Sequence, residues 1–342
     1  MPRRPAARPA TFSDLVARLR GRRVVVFGDL IADEYVYGRV ARVSREAPVL
    51  ILEYDSTEIV PGGAGNAAMN AAALGAAVRL VALVGRDEPG RRVEKALGAR
   101  VERQGLRRPA GYHTPVKTRI LAGGIHSAKQ QVVRIDRRTR EGVPEAARAA
   151  LERAAVAATR RADAVLVSDY GSGLVTPRFV ADLAARLRAR RVPVLIDSRY
   201  ALTRYARLTA CTPNESEVEQ VLGVHIDDRP RVLERAGRAL LRRTRMEAVL
   251  VTRGSRGMAL FEPDRPTVHI PIHGSDQIVD VTGAGDTVMA TMTLALAAGA
   301  SFEQAARLAN VAGGLVVMKR GTATVSHAEL RAAARALDAD HG

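Results

Sequence analysis

The sequence predicts an α/β protein in which a mostly parallel central sheet is covered by helices on both faces. Three features support this prediction: short apolar runs recur along the chain, helical segments separate them, and two longer segments instead alternate polar and apolar residues. Strands of a parallel sheet are buried on both faces, so they read as continuous apolar runs. The alternating segments are typical of half-solvated strands and predict a second, smaller β-layer.

The predicted elements follow one another regularly along the chain. Buried strands are predicted at 24–29, 78–85, 164–169, 192–197, 208–213 and 247–254. Helices are predicted at 65–76, 284–299 and 302–318, and two more begin at Thr176 and Asn214. The alternating segments lie near 34–60 and 112–137 and predict antiparallel strands outside the main sheet. Because both follow early strands, we expect them to form a small lid over the sheet edge at which ligands bind.

The organisation of the chain is expected to be simple. Residues 1–11 are basic and rich in proline and predict a disordered tail, whereas residues 12–342 are expected to form a single domain. No apolar run reaches the length that spans a bilayer, and the N-terminal segment lacks the apolar core of a secretory signal. The one cysteine, Cys211, excludes an intramolecular disulfide and favours a reducing compartment. We therefore expect a cytoplasmic protein with no membrane partner.

Arginine dominates the charge of the chain. The 53 basic and 36 acidic residues give a formal charge of +17, and an excess of this size attracts nucleic acid, membrane surfaces or anionic substrates. Many arginines lie in Ala/Arg segments such as "LAARLRARR", which are typical of solvated helix faces. Aromatic residues that stack on bases are scarce, at 4% with no tryptophan. We therefore expect no nucleic-acid partner.

The glycine-rich stretch "DVTGAGD" (280–286) precedes a long apolar helix. Gly283 and Gly285 permit a tight turn in which N–H groups converge, and the helix N-terminus adds a partial positive charge. This arrangement is an anion hole suited to a transferring phosphoryl group, and Asp286 is placed to take a proton from an attacking hydroxyl. The alternative is plain helix capping, because an Asp at a helix start stabilises the helix by about 1 kcal/mol.

A second glycine-rich stretch, "PGGAGNAAMNAAALGA" (61–76), has three interpretations. Residues 63–68 match the G-x-G-x-x-A pattern of dinucleotide-binding proteins, and Asp87 lies near the expected ribose-binding acid, so a nicotinamide-dependent oxidoreductase is one alternative. The preceding segment, "STEIV", does not read as a buried first strand, which counts against it. A tight turn before a closely packed helix is the second interpretation. The third is a place where a polyol approaches the backbone at Gly62–Gly63, with Asn66 as a hydrogen-bond partner.

The stretch "TPNESEVE" (212–219) has two interpretations. Asn214 followed by acids in the first turn is a good helix start. Asn214 and Glu217 also lie three residues apart on one helix face, where they are able to hold a hydrated Mg²⁺ beside a nucleotide phosphate. The sequence contains no Walker A, HExxH or Cys/His zinc pattern.

Taken together, these segments resemble the ribokinase-like (phosphofructokinase B) family of sugar kinases. The resemblance runs from about Val24 to about Leu330 and is carried by "GDLIADEY", "PGGAGNAAMNAAALG", "TPNESEVE", "VTRGSRGM" and "DVTGAGD", of which the last is highly specific. It implies a three-layer α/β fold with a β-sheet lid that often mediates dimers, so a homodimer is expected. It also implies phosphorylation of a sugar hydroxyl with ATP and Mg²⁺.

The resemblance also implies roles for individual residues. It implies that Asp286 is the catalytic base, with Gly283, Ala284 and Gly285 as the anion hole. It implies sugar contacts at Asp33, Gly62, Gly63 and Asn66. It implies phosphate, Mg²⁺ and nucleotide contacts at Asn214, Glu215, Ser216, Glu217, Thr252, Gly254, Gly257 and Asn310. It implies a monovalent cation, K⁺, near Asp280 and Thr282.

Within the family, the chain is most similar to the bacterial subgroup that phosphorylates O1 of D-glycero-β-D-manno-heptose 7-phosphate on the way to ADP-heptose for lipopolysaccharide. The segments "GDLIADEYVYGRVARVSREAPV", "KTRILAGGIHSAKQQVVRID", "SDYGSGLVTP" and "NVAGGLVVMKRGTATVSHAEL" carry this similarity. It implies substrate contacts, including cations for the acceptor's phosphate, at Lys117, Arg119, Arg134 and Asp169. Ser172 replaces a lysine usual in the subgroup, and Ser198-Arg199 replaces Pro-Lys. Another sugar or sugar phosphate therefore remains an alternative acceptor.

Overall fold

Two β-sheets and the helices packed around them make up the structure. It is a computed structural model that describes residues 10–123, 129–138, 142–227, 229–274 and 279–340. In these residues the strands are β1 Arg23–Gly28, β2 Leu30–Val43, β3 Leu50–Gly63, β4 Ala77–Val81, β5 Val101–Glu102, β6 Val116–Gly123, β7 Gln130–Arg137, β8 Ala164–Asp169, β9 Val194–Ser198, β10 Ala210–Cys211, β11 Ala248–Thr252, β12 Met258–Phe261 and β13 Val268–Ile270. The helices are α1 Phe12–Ala17, α2 Ala64–Ala73, α3 Glu88–Ala96, α4 Glu145–Ala158, α5 Pro177–Arg188, α6 Glu215–Leu222, α7 Pro230–Thr244, α8 Ala284–Ala297, α9 Phe302–Val317 and α10 His327–Asp340.

The central sheet has the strand order β13-β12-β11-β10-β9-β8-β1-β4-β5. Neighbouring strands from β11 to β5 pair in parallel, and β12 and β13 add an antiparallel edge. Alternate residues of β1 enter opposite cores: Val24 and Val26 belong to one, and Val25 and Phe27 to the other. The apolar run of this strand therefore reflects burial on both faces, and the predicted mostly parallel sheet is confirmed.

Helices on both faces of the central sheet give the molecule three layers. One core includes residues of α1, α2, α3, α8, α9 and α10, and the other includes residues of α4, α5, α6 and α7. Helix α2, whose buried residues are mostly alanine, packs against α8. Small side chains let the two helices approach closely, and this contact brings Asn66 and Asn70 of α2 to the first turn of α8.

The lid is a second sheet with the strand order β3-β2-β6-β7. Strands β2 and β3 form one antiparallel pair and β6 and β7 form another, as the alternating segments predict. The two pairs, however, join through a parallel contact between β2 and β6, which the sequence analysis did not anticipate. The reason is that both pairs start at the same edge of the core: Ala32 at the start of β2 and Val116 at the start of β6 are both buried and lie opposite each other.

The beginning of the described chain is ordered further than expected. The side chain of Thr11 caps α1 by accepting the N–H of Asp14 at 3.1 Å, and the amide of Gln304 donates to the carbonyl oxygen of Ala10 at 3.0 Å. Residues 10 and 11 thus belong to the folded part and not to the predicted tail, whose residues 1–9 lie outside the described residues. Within the described part of the chain, no helix is long and apolar enough to cross a membrane.

The structural context of residues 63–68 excludes the dinucleotide-binding interpretation. The strand before them, β3, belongs to the lid and pairs antiparallel with β2, whereas the fingerprint requires a buried strand of a parallel sheet. The acid expected to bind ribose has another role: Asp87 caps α3 by accepting the N–H of Gly90, and it also accepts the hydroxyl of Thr114. The oxidoreductase alternative is therefore wrong.

Candidate active site

A cleft of about 390 Å³ lies at the carboxyl edge of the central sheet, beside the lid. This is the edge at which parallel α/β sheets bind their ligands. Lid strands, the segments that end or follow β8 to β11, and the start of α8 contribute to it. The lining residues are Asp33, Gly63, Lys117, Arg119, Arg134, Tyr170, Asp197, Arg199, Thr212, Asn214, Glu217, Thr252, Val281, Thr282, Gly283, Gly285 and Asp286.

Helix α8 begins in this cleft at a turn that glycine adopts readily. Gly283 precedes the helix with φ of 78°, and a Cβ at this position would lie 2.5 Å from Nδ2 of Asn66. The N–H of Ala284 donates to the carbonyl oxygen of Val281 at 3.2 Å, so it is already engaged. No side chain of the described residues caps the helix, which leaves the N–H of Gly285 at the helix end for an anion.

The carboxylate of Asp286 is held inside the cleft wall, in the first turn of α8. Only 6% of Asp286 is exposed, yet the residue lines the cleft. Its Oδ2 accepts Nδ2 of Asn66 at 2.7 Å, and its Oδ1 lies 3.4 Å from the hydroxyl of Tyr170. The side chain therefore has one oxygen fixed by a short hydrogen bond and a second oxygen in a weaker contact.

Burial sets the protonation equilibrium of Asp286. Removal of the carboxylate from water raises its pKa to about 7, the hydrogen bond from Asn66 opposes this shift, and the negative charge of Asp33 adds to it. A carboxylate with a pKa near neutrality is a stronger base than an ordinary Asp and still ionises at physiological pH. The position and protonation of Asp286 thus suit general-base chemistry on a group in the cleft.

The lid supplies charged residues to the cleft lining, and two of them form an ion pair. Asp33 of β2 forms an ion pair with Arg119 of β6, with Oδ1 and Nη1 2.6 Å apart. A Cβ at Gly62 would lie 2.1 Å from Oδ2 of Asp33, so the absence of a side chain there lets the carboxylate approach the backbone. The ammonium group of Lys117 lies 4.4 Å from the centre of the Tyr170 ring, and burial lowers the pKa of Lys117 to about 8.

The start of α6 also contributes to the cleft lining, through Asn214 and Glu217. Asn214 and Glu217 form a capping box: Oδ1 of Asn214 accepts the N–H of Glu217 at 2.8 Å, and Oε2 of Glu217 accepts the N–H of Asn214 at 3.0 Å. Burial raises the pKa of Glu217, and burial together with the charge of Glu217 raises the pKa of Asp197 well above its ordinary range. Thr252 lies beside Asn214 through a parallel bridge.

Comparison with known families decides what kind of site this is. Residues 22–329 match the pfkB family of carbohydrate kinases. The chain belongs to this family. The match extends from the residue before β1 into α10 and so includes every residue that lines the cleft. The predicted sugar-kinase class is confirmed.

Curated relatives share about two fifths of their aligned residues with this carbohydrate kinase. The "Bifunctional protein HldE" of Geobacter metallireducens is 42% identical over 322 residues, which cover 92% of this chain and 64% of the relative. The protein of the same name from Coxiella burnetii is 40% identical over 321 residues, which cover 93% of this chain and 65% of the relative. The chain therefore spans slightly less than two thirds of the length of these relatives.

Solved structures share the fold of the kinase at lower sequence identity. Ribokinase of Arabidopsis thaliana complexed with ribose and ATP superposes with a TM-score of 0.70 and 21% identity, covering 93% of this chain and 99% of that one. Phosphofructokinase-2 of Escherichia coli in complex with potassium gives a TM-score of 0.73 and 17% identity over the same shares. These likenesses confirm the ribokinase-like three-layer fold with its small lid sheet.

Several residues expected at the kinase's nucleotide site do not line this cleft. Glu215 forms ion pairs with Arg253 and Arg256, and the amide of Asn310 donates to the carbonyl oxygen of Pro271 at 2.8 Å. The other such residues are Ser216, Gly254 and Gly257. Of the predicted phosphate and nucleotide contacts, the cleft thus brings together Asn214, Glu217 and Thr252.

Asp169, an expected substrate contact, is engaged inside the protein. Its Oδ2 accepts the hydroxyls of Ser198 and Tyr205 at 2.8 and 2.7 Å, and its Oδ1 accepts the N–H of Gly171 at 3.0 Å. Ser198, one of the departures from the subgroup pattern, thus holds Asp169, whereas its neighbour Arg199 lines the cleft. At the Ser198-Arg199 departure from the subgroup pattern, the structure therefore adds a positively charged side chain, that of Arg199, to the cleft lining.

The residues expected near a monovalent cation lie at the loop that leads to α8. The carboxylate of Asp280 accepts the N–H of Thr282 and the N–H of Gly321, both at 2.9 Å. Thr282 lines the cleft, whereas Asp280 ties this loop to the segment after α9. Residues 275–278, which precede the loop, lie outside the described residues, and K⁺ binding stays a prediction.

A smaller cavity of about 130 Å³ adjoins the cleft between the lid and the loop after β8. It shares Lys117, Arg134 and Tyr170 with the cleft. Its remaining lining residues are Asp29, Ile31, Tyr112, Pro115, Val116, Asp136, Arg137, Arg138, Val143, Gly171, Ser172 and Tyr200. The hydroxyl of Ser172, which replaces the usual lysine, donates to the buried carboxylate of Asp29.

Five described residues of the cleft were not among the predicted site residues, namely Tyr170, Asp197, Arg199, Thr212 and Val281, and two of them, Tyr170 and Asp197, interact with Asp286. Tyr170 directly follows β8, and Asp197 lies near the end of β9. Both positions are at the carboxyl ends of buried parallel strands, where side chains converge on the ligand edge. A search for polar residues at the ends of the predicted apolar runs would have found both.

Proposed function

We propose that the protein is an ATP-dependent kinase that phosphorylates O1 of D-glycero-β-D-manno-heptose 7-phosphate. The observation that carries the proposal is the carboxylate of Asp286, which faces the cleft at an uncapped helix start and has its pKa raised to about 7. The subgroup resemblance and the HldE relatives support a heptose phosphate as the acceptor. A kinase of another sugar phosphate is the second candidate, because Ser172 and Ser198 depart from the subgroup pattern.

The proposed reaction needs one base and one anion hole. Asp286 takes the proton from the acceptor hydroxyl while that oxygen attacks the γ-phosphorus of ATP. A new bond forms between the sugar oxygen and phosphorus, the bond to the β–γ bridging oxygen breaks, and ADP leaves with that electron pair. The free N–H at Gly285 and the positive end of α8 stabilise the charge on the transferring group.

The donor set at the start of α6 fits a hydrated Mg²⁺. Within the capping box Glu217 uses one of its two carboxylate oxygens and Asn214 uses its single amide oxygen, and Asp197, which also lines the cleft, interacts with Glu217 through charge. Carboxylates that repel each other in a desolvated cleft favour the binding of a hard cation. Mg²⁺ is such a cation, and it binds oxygen ligands while it keeps several of its waters. Among the described residues no cluster of three or more such side chains forms a closed metal site, so we expect binding through water. When bound, Mg²⁺ would neutralise charge on the ATP phosphates.

The adjoining cavity suits the phosphate that the acceptor already carries. Lys117, Arg134, Arg137 and Arg138 all contribute to its wall, whereas its acids are Asp29 and Asp136. Asp136 is paired with Arg134 at 2.6 Å, and Asp29 has its pKa raised to about 6 by burial. The cavity therefore has an excess of positive charge next to the cleft, as a dianionic phosphate requires.

A screen of ADP release over free and phosphorylated sugars tests the proposal. We expect release with heptose 7-phosphate and none with free heptose. We also expect Lys117→Met to raise KM for the sugar phosphate more than tenfold with little change in KM for ATP. Lys129→Met is the matched control, because Lys129 pairs with Asp55 and lines neither cavity. ADP release that is equally fast with free sugars would contradict the phosphorylated acceptor.

We further propose a homodimer through the outer face of the lid. This face exposes apolar side chains along three strands and the β2–β3 turn, although monomers seldom leave such groups together in water. The exposed residues are Val40, Val43, Val49, Leu50, Tyr54, Val132, Val133 and Ile135. Light scattering should give twice the 36.7 kDa chain mass, and Val133→Asp with Ile135→Asp should reduce it to one chain. A monomer in the unaltered protein would refute the dimer.

A further inference from the structure

Three buried polar side chains lie behind the candidate base and connect α2 to α8. We propose that Asn70 and Thr287 are positioning residues that orient the amide of Asn66 toward Oδ2 of Asp286 and thereby reserve Oδ1 for the substrate proton. This inference rests on the proposed function for its catalytic meaning. Asn66, Asn70 and Thr287 are each no more than 2% exposed, so their polar groups depend on one another and not on water.

The hydrogen bonds form a continuous chain. The hydroxyl of Thr287 donates to Oδ1 of Asn70 at 2.8 Å, and Nδ2 of Asn70 donates to Oδ1 of Asn66 at 3.0 Å. Nδ2 of Asn66 then donates to Oδ2 of Asp286 at 2.7 Å. The orientation of Thr287 and Asn70 therefore fixes the orientation of the Asn66 amide, which contacts Asp286 directly.

A backbone carbonyl fixes the direction of this chain. The carbonyl oxygen of Asn66 lies 3.0 Å from Nδ2 of Asn70, and a carbonyl oxygen only accepts hydrogen bonds. The side-chain atom of Asn70 at this place must therefore be nitrogen. Because the same nitrogen also faces the side chain of Asn66, Asn66 turns its oxygen toward Asn70 and its nitrogen toward Asp286. The reverse orientation would place an amide oxygen against the carboxylate.

The two oxygens of Asp286 are consequently unequal. Oδ2 is held by a short bond from a donor that cannot turn away, whereas among the described residues Oδ1 has only the hydroxyl of Tyr170 at 3.4 Å. A base needs one lone pair directed at the substrate and a fixed carboxylate plane. The chain from Thr287 supplies the fixed plane, and the free lone pair of Oδ1 faces the acceptor.

Other charged groups also act on Asp286, so the test must isolate the amide chain. Asp33 of β2 raises its pKa, whereas Lys117 of β6 and the hydroxyl of Tyr170 lower it, and Asp197 of β9 interacts with it through charge. The remaining charged residues that line the cleft are Arg119, Arg134, Arg199 and Glu217. None of these residues is altered in the variants below.

The titration of Asp286 itself gives a readout that does not require kinase activity. In protein carrying ¹³C-labelled aspartate carboxyl groups, Asp286→Asn identifies the signal of interest. We expect Asn70→Leu to raise the titration midpoint of Asp286 by about one pH unit. Without Asn70 the amide of Asn66 is free to turn, and its hydrogen bond to the charged carboxylate of Asp286 is lost. Thr287→Val, which keeps the side-chain shape, should raise the midpoint by a smaller amount, and Thr287→Ser should restore it.

A matched control and the pH profile separate positioning from a general structural role. Thr293 lies on α8 like Thr287 and is equally buried. Its hydroxyl donates to the carbonyl oxygen of Met289 and takes no part in the hydrogen bonds that lead to Asp286, so Thr293→Val should leave the titration midpoint of Asp286 unchanged. With the sugar phosphate as acceptor, the acidic limb of kcat should move with the midpoint, because a base with a raised pKa ionises at higher pH. A structural role would instead lower kcat by one factor at every pH.

The outcomes distinguish this inference from the proposed function. An unchanged midpoint in both folded Asn70→Leu and folded Thr287→Val overturns the positioning role, whatever the kinase activity. A shifted midpoint in a protein that releases no ADP with any sugar supports the amide chain and refutes the proposed function. Thr287→Val keeps the test decisive if Asn70→Leu does not fold.

Discussion

Helices α6 and α8 both begin at the cleft, and both carry an acid in their first turn, but the two starts differ. At α6, Asn214 and Glu217 satisfy each other's backbone N–H groups in a capping box. At α8, Gly283 precedes the helix without any side-chain cap among the described residues, and Asp286 points to the cleft and to Asn66. The comparison teaches that an acidic residue near a helix start indicates an anion site only where the side chain of that acid does not bond the backbone N–H groups of the first turn, so that these groups stay free for an anion.

Asp286→Asn is expected to have the largest effect, and it tests whether the start of α8 carries the catalytic base. Because the amide cannot accept the substrate proton, we expect turnover to fall by at least ~10², with ATP affinity nearly unchanged. Coupled ADP-release kinetics and calorimetric titration with ATP measure the two quantities. Near-normal turnover of Asp286→Asn would show that the acid at the start of α8 is no more catalytic than the acid at the start of α6.

The pH dependence of the free energy of unfolding tests whether the buried carboxyl group of Asp286 at the start of α8 titrates near neutral pH. Asp286 has a pKa of about 7 in the folded protein and about 4 when unfolded, so between these values only the folded state holds the proton. The free energy of unfolding therefore falls as pH rises through this window. Asp286→Asn removes this loss and should be more stable than the unaltered protein by roughly 2–4 kcal/mol at pH 8, with a difference that shrinks toward pH 4.

Urea unfolding at pH 5 and pH 8 measures this change. Asp29, whose pKa burial raises to about 6, contributes in the same direction and is present in both proteins, so it cancels in the comparison. A stability difference that is the same at both pH values would show that Asp286 does not titrate in this window.

Gly283→Ala should disturb the turn that keeps the start of α8 open. The φ of 78° is unfavourable for alanine, and its Cβ would meet the amide of Asn66, so we expect a loss of about 1–3 kcal/mol in stability together with reduced turnover. Gly285→Ala is the matched control for stability, since a Cβ there meets nothing within 4 Å and its φ is not left-handed. Equal losses in the two variants would argue against a special role for the turn.

Asn214→Ala should have the smallest effect, because it removes a helix cap and leaves Glu217 in the set of residues proposed to hold Mg²⁺ through water. We expect a loss of about 1 kcal/mol in the free energy of unfolding and a smaller fall in turnover than for Asp286→Asn. Asn214→Ser keeps a capping oxygen and should recover most of the stability. If Asn214→Ala abolished turnover without any loss of stability, the start of α6 would be reactive rather than structural.

Local patterns predicted much of the fold and part of the site. The apolar runs placed the central strands, and the turn before α8 placed Asp286 at a helix start. These predictions succeeded because burial on two faces and helix initiation leave marks within a few neighbouring residues. The same local reasoning left helix capping and a functional role open at both helix starts: an anion hole at α8 and a hydrated Mg²⁺ at α6.

Contacts between distant segments explain what the sequence analysis missed. Asp169 was an expected substrate contact, but Ser198 and Tyr205 occupy its carboxylate. The N–H of Ala284, also expected in the anion hole, is a local exception, because the carbonyl oxygen of Val281 accepts it within the same turn. Which groups remain available depends on partners that other elements supply, and no spacing along the chain records this.

By itself, the sequence determined the element types, the layered α/β class and the family to which the protein belongs, because periodicity and turn chemistry are local properties. Only the tertiary structure decided that Asn66 holds Asp286, that Asn70 and Thr287 fix its amide, and that β2 and β6 run in parallel. These contacts join residues up to 220 positions apart, and only packing of the helices and sheets brings them within hydrogen-bond distance.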